Sequence, residues 1–190
     1  MINIAVFASG SGTNFQAIAD YFSGHSEISV KLLLSNRENA YALERAARAN
    51  IDACVFSRQE LDNTDRVPSV LKKYDIHFIA LAGFLLRIPE NILRGWPDRI
   101  VNIHPALLPK YGGKGMYGMR VHQAVIDAGD RFSGITIHMI NEEYDKGSSV
   151  FQHTCEVKKD DNPESLAARI HQLEHYWYPR IIERLLLNDA

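Results

Sequence analysis

The feature that most constrains this chain is a repeated alternation between short apolar runs and segments with helical spacing. Ile2 to Ala8 is almost wholly apolar and runs into Ser9-Gly10-Ser11-Gly12. Thr13 to Phe22 then places Phe15, Ile18, Ala19 and Phe22 on one face of a helix. The pattern continues with a strand over Ile28 to Ser35, a helix over Ala40 to Ala49, a strand over Ala53 to Phe56 and a helix around Val67 to Lys73. A strand over His77 to Ala82, a short helix over Pro89 to Leu93 and a strand over Ile100 to His104 complete the series. Strands separated by helices pair in parallel, because a parallel pair needs a long crossover. Near-continuous apolar strands need cover on both faces. The alternation therefore predicts a doubly wound, mostly parallel α/β sheet.

The second half breaks the pattern. Lys110 to Met119 carries Gly112, Gly113, Gly115 and Gly118 and reads as a mobile loop. A helix over His122 to Ala128 follows. Gly134 to Ile140 and Val150 to Val157 are strand-like and joined by polar residues, which predicts a C-terminal hairpin. Pro163 to Leu187 reads as a long terminal helix bent at Pro179. With no repeat or linker, residues 1–190 read as one domain.

Charge narrows the partners. A net charge of −2, with no basic cluster beyond two adjacent residues, argues against nucleic acid and for a small molecule. No apolar run approaches the ~18 residues of a membrane span. Two cysteines, and a strand that begins at Ile2, lead us to expect a reducing, cytoplasmic setting with no targeting segment. Cys54, between Ala53 and Val55, is expected to be a buried, inert thiol.

Gly10-Ser11-Gly12-Thr13-Asn14 joins the first strand to the first helix. Glycines permit the tight turn, and a helix N-terminus offers amide hydrogens and partial positive charge, so a phosphate is the natural guest. The plainer reading is a turn in which Thr13 or Asn14 caps the helix. Its place at the carboxyl end of a strand, where open α/β sheets bind ligands, favours the phosphate. A dinucleotide site fits badly: Phe15 stands where the third glycine of G-x-G-x-x-G belongs, and the second strand ends in Leu34-Ser35-Asn36 without an acid. Gly113-Lys114-Gly115 lacks the spacing of a triphosphate loop.

Asn102 and His104 lie two apart on a strand and so share a face at its carboxyl end. An amide to steady an oxyanion beside an imidazole to handle a proton suits acyl chemistry. On these residues alone, a hydrogen-bonded pair that merely holds the next loop stands level with that reading. Asp145, taken by itself, reads as a solvated turn residue. His171-Gln172-Leu173-Glu174-His175 spells H-x-x-E-H, a zinc signature on a helix. Catalytic zinc also needs a third protein ligand, and Glu183 is the one credible acid that follows, so we read the match as chance.

Several blocks together carry a resemblance: Ser9-Gly10-Ser11-Gly12-Thr13-Asn14-Phe15-Gln16-Ala17-Ile18, Leu81-Ala82-Gly83-Phe84, Asn102-Ile103-His104-Pro105-Ala106-Leu107-Leu108-Pro109, Asp145-x-Gly147 and Glu174-His175. In this order the chain resembles the phosphoribosylglycinamide formyltransferase family, folate-dependent enzymes of purine synthesis. The resemblance implies a Rossmann-like formyltransferase fold that moves a formyl group from 10-formyltetrahydrofolate to the amine of glycinamide ribonucleotide, without a metal. It implies Asn102, His104 and Asp145 as catalytic residues, and Gly12, Thr13, Asn14, Phe15 and Glu174 as ribonucleotide contacts. Leu86, Arg87, Ile88, Pro89, Asn141, Glu142, Glu143 and Tyr144 would bind the folate, and His138 would support the centre. Asp145 is expected to raise the pKa of His104, so that a protonated His104 steadies the oxyanion beside Asn102, and to assist a proton relay through a water held with His104. A nucleotide-sugar formyltransferase, a formyl-folate hydrolase and a silent nucleotide-binding module remain alternatives. Either a monomer or a homodimer is compatible with the sequence.

Overall fold

Seven strands form one sheet in the order β3-β2-β1-β4-β5-β6-β7. They are β1 (Ile2–Phe7), β2 (Ile28–Ser35), β3 (Asp52–Val55), β4 (Phe78–Leu81), β5 (Ile100–His104), β6 (Phe132–Met139) and β7 (Ser149–Glu156). This computed structural model describes residues 1–141, 145 and 147–187. Strands β1 to β5 pair in parallel. β6 adds antiparallel to β5, and β7 antiparallel to β6, which makes the hairpin.

Alternation along β1 divides the core. Ile4, Val6 and Ala8 face one side and pack with Phe15 and Ile18 of α1 (Thr13–Tyr21) and with Ile170, Tyr178 and Ile182 of α7 (Pro163–Leu187). Ala5 and Phe7 face the other side. There they meet Leu61 of α3 (Arg58–Asn63), Leu71 of α4 (Arg66–Lys73) and Ile92 of α5 (Glu90–Gly95). Helix α2 (Tyr41–Arg48) lies beside α1, and α6 (Met119–Asp127) packs on α7. Both faces are covered, as the apolar strands require.

Some details differ from expectation. Helix α3 lies within a stretch given no helix above. Its signal was present: Ser57 Oγ accepts from the Glu60 amide while the Glu60 carboxylate accepts from the Ser57 amide, a reciprocal capping box. Helix α6 starts at Met119, three residues before His122, with Gly118 at its cap. Cys54 is half-buried rather than buried, because β3 is an edge strand. Helix α7 begins where Asn162 Oδ1 accepts from the Ser165 amide at 2.8 Å and Pro163 takes the first helical position. It continues through Pro179, which has no amide to offer the His175 carbonyl. The Tyr178 hydroxyl, fully buried, lies 2.9 Å from the Leu81 carbonyl and 3.0 Å from that of Val101. It thereby ties α7 to the ends of β4 and β5.

Candidate active site

The strand order reverses between β1 and β4, and a crevice at the carboxyl ends of strands follows from that reversal. A cavity of about 610 Å³ opens there. Its walls include the Gly10–Asn14 turn, the Gly83–Ile88 segment after β4, Asn102 and His104, the Gly113–Gly118 loop, Asp145, His171 and Glu174.

The turn after β1 is fastened from behind. The Ala42 amide donates to the Gly10 carbonyl at 3.1 Å, and Arg45 Nε donates to the Ser11 carbonyl at 2.9 Å. Gly12 is the N-cap of α1 in the left-handed region, with φ 70°, and no side chain caps the helix. The amides of its first turn therefore have no partner within the helix. A Cβ on Gly12 would lie 2.6 Å from the Ala42 Cβ, so close packing on α2 by itself demands glycine here. Thr13 and Asn14 line the cavity, whereas the Phe15 side chain is wholly buried in the core, leaving only its backbone to face a ligand. Asn14 Nδ2 donates to Glu174 Oε2 at 2.9 Å. Burial pushes the Glu174 carboxyl up to about 7, against the opposing pull of that hydrogen bond.

At the other end, Asn102 lies directly opposite His138 across the β5–β6 ladder, with Nδ2 3.1 Å from the imidazole Nε2. His138 Nδ1 is 3.1 Å from the Met139 carbonyl, which can only accept. Nδ1 therefore carries the hydrogen and a bare Nε2 accepts from Asn102. His104 follows the same logic: its Nε2 is 2.7 Å from the Tyr111 carbonyl, which leaves Nδ1 bare. Asp145 sits between the two rings, with Oδ2 3.7 Å from His104 Nδ1 and Oδ1 3.5 Å from His138 Nε2. Its Oδ2 also accepts from the Gly113 amide at 2.8 Å, so the glycine loop is tied to this carboxylate.

The pKa of His104 is lowered, not raised. Burial of the ring outweighs the nearby Asp145 charge and the Tyr111 carbonyl, both of which favour the imidazolium. Burial pushes the Asp145 carboxyl up. A protonated His138, which would donate to it, the Gly113 amide and the neighbouring His104 more than offset this and hold it below the ordinary range. Asp145 sits in a turn with φ 55°. Gly147 is required in that turn, because a Cβ there would lie 1.7 Å from the Met139 carbonyl oxygen.

Leu86, Arg87 and Ile88 line the cavity, as does Asn141. Pro89 does not: it is the N-cap of α5 and borders a shallow groove with Asp62 and Glu90. Glu142, Glu143 and Tyr144 lie outside the described residues. The sequence reading missed His122 as a wall residue and the Tyr111 carbonyl as a partner of His104. The second carried no sequence signal, since it depends on the course of a loop. His171 and His175 do share a face of α7, with ring centroids 6.2 Å apart, but Glu174 engages Asn14. Among the described residues no three histidine, cysteine, aspartate or glutamate side chains are grouped to hold a metal. No described helix is long and apolar enough to cross a membrane.

Fold and site define a doubly wound α/β protein with a cleft at its switch point. The formyl transferase family profile matches residues 2–182. Phosphoribosylglycinamide formyltransferase of Bacillus subtilis is 34% identical over 195 residues, covering 100% of this chain and 97% of that protein. The chloroplastic phosphoribosylglycinamide formyltransferase of Arabidopsis thaliana is 43% identical over 185 residues, covering 94% of this chain. The chain spans 63% of the length of that protein and 60% of its Vigna unguiculata counterpart. Glycinamide ribonucleotide transformylase 1 from Geobacillus kaustophilus is 38% identical with a TM-score of 0.87, covering 98% of this chain and 99% of that one. The chain belongs to the formyl transferase family.

Proposed function

We propose that the protein transfers the formyl group of 10-formyltetrahydrofolate to the amine of glycinamide ribonucleotide, as the names of its relatives suggest. The observation that carries this is the cluster of bare acceptors around Asp145. His104 Nδ1 and His138 Nε2, each bare in the tautomer that its ring's other contact favours, lie 3.7 Å and 3.5 Å from the Asp145 carboxylate. Such a cluster can accept a proton, directly or through a water that donates to two of them.

Direct attack of an amine on a formyl carbon gives a tetrahedral species with an anionic oxygen and a cationic nitrogen. One hydrogen of the Asn102 amide is engaged by His138, and its second is available to the oxygen. The proton leaving the nitrogen passes to His104 Nδ1, where Asp145 stabilises the imidazolium. It then returns to the departing folate nitrogen. His104 thus acts as a neutral acceptor first and becomes charged only as the reaction proceeds. That sequence suits a ring whose burial disfavours the charge at rest. Gly12, Thr13 and Asn14 would hold the phosphate on the uncapped α1 terminus, with the Phe15 amide beside them, and Glu174 would accept from the ribose hydroxyls. Leu86, Arg87, Ile88 and Asn141 would form the folate side of the cleft. One domain, small-molecule partners and a reducing, cytoplasmic setting belong to the same reading. The two unpaired cysteines agree with it, although the plant relatives bear chloroplastic names.

The test is transfer of isotope-labelled formyl from 10-formyltetrahydrofolate to glycinamide ribonucleotide, run with a chelator present. Release of free formate without an acceptor would instead make the protein a hydrolase. Labelling of an amino nucleotide sugar in place of the ribonucleotide would change the acceptor.

A further inference from the structure

His122 is 1% exposed, lines the cavity, and has an Nδ1 sealed from solvent with no hydrogen-bond partner. Its ring packs edge-on against His171 of α7, with centroids 6.4 Å apart, and His171 in turn stacks on His175. His175 also has a buried nitrogen without a partner. Two imidazole walls without a carboxylate partner, in a cavity floored by the uncapped α1 terminus, suit an anion that would supply the missing counter-charge. The charged and titratable neighbours agree. His122 faces His171 and, from β5, His104; His175 faces His171 and Arg45. Glu174, one turn along α7 from His171, is taken by Asn14.

We propose that His122 and His171 form the second wall of the phosphate site, and that binding of a phosphate dianion loads one proton onto this pair. This rests on the ribonucleotide reading of the cavity. Without an anion the rings stay neutral: burial and the neighbouring His171 hold His122 down at about 4, and burial lowers His171. A dianion supplies the missing charge, and the proton belongs to the pair rather than to either ring. His171, more exposed than His122, gives the arriving proton its path. Affinity for the phosphorylated substrate should therefore weaken as pH rises, although the ligand itself becomes more fully dianionic above its own second pKa of about 6.

The experiment is calorimetric titration of the full chain at pH 7 with glycinamide ribonucleotide and, separately, ribose 5-phosphate, in buffers of low and high ionisation enthalpy. The expected wild-type result is net proton uptake at least about half a proton above that of His171→Asn, with Kd about tenfold weaker in the variant. His122→Asn should behave alike. Because His171 is exposed, its variant stays informative even if the buried one fails to fold. Equal proton counts and equal Kd in wild type and His171→Asn would overturn the proposal. Histidine-dependent uptake with ribose 5-phosphate, in a protein that does not formylate glycinamide ribonucleotide, would uphold this site while refuting the acceptor. Failure of both probes to bind would refute both.

Discussion

The Nε2 of His104 lies 2.7 Å from the carbonyl oxygen of Tyr111, and that contact sets which nitrogen of the ring is basic. Tyr111 is itself held: its φ is 56°, and its hydroxyl donates to Asp130 at 2.8 Å. Lys110 Nζ donates to the same carboxylate at 3.0 Å. Asp130 thus acts on His104 through the backbone of a residue it anchors. Asp130→Ala should lower kcat about tenfold while leaving KM for both substrates nearly unchanged, because the tautomer is no longer fixed. A wild-type pH–rate profile in that variant would reduce the tether to a structural role.

Removing members of the acceptor cluster should cost more. Asn102→Ala, His104→Ala and Asp145→Ala should each lose at least ~10² in kcat with modest changes in KM. His104 and Asp145 hand on one proton, so the double variant should lose much less than the product of the two single losses. The pH dependence has a definite sign. His104 must be neutral to accept, and its pKa lies below 6.5, so kcat should fall as pH drops below that value. Asp145 pulls that pKa upward, so Asp145→Asn should move the acid limb to still lower pH. A limb that moved upward, measured by steady-state formyl transfer, would contradict the assignment.

Gly12 needs a different test from the one its turn suggests. A side chain there meets Ala42 at 2.6 Å and must adopt φ 70°, so a substitution attacks the α1–α2 packing before it reaches any phosphate. Gly12→Ala should destabilise the fold by about 1–3 kcal/mol through strain and overpacking. Thermal unfolding in the absence of ligand would show it. An unchanged melting temperature would mean that α2 yields at no cost.

How much of this was legible depends on whether a property is local. Strand β1, the glycine turn and helix α7, whose Pro163 and Leu187 limits were read directly, are written in runs of neighbouring residues. So were Asn102 and His104, which share a strand face. The charge state of His104 was not legible, because burial is a sum over the whole fold and here it outweighs Asp145. Phe15 shows the same limit: its place in the turn motif is visible in sequence, but the direction of its side chain into the core is set by helix phase against the sheet. His122 and His171 are 49 positions apart and meet only because α6 packs on α7.

Glu174 links stability to function with opposite signs. It is 5% exposed, and its carboxyl is pushed from 4.5 up to about 7. A carboxyl raised on folding contributes stability that is fully present below its unfolded pKa, near 4.5, and lost as pH rises through the folded value near 7. That difference corresponds to about 3 kcal/mol of folding stability forfeited by pH 8. Glu174→Gln keeps the shape, can still pair with Asn14 and carries no charge to desolvate. It should therefore be more stable than wild type by up to about 3 kcal/mol at pH 8, with the two converging toward pH 5. The same change removes the acceptor proposed for the ribose hydroxyls, so KM for the ribonucleotide should rise at least ~10-fold while folate binding is retained. Urea unfolding at pH 5 and pH 8, run beside the KM measurement, separates the two effects. A Gln variant no more stable at pH 8 than wild type would mean that Glu174 is already solvated or paired in the empty cleft, and that its carboxylate is held there without cost.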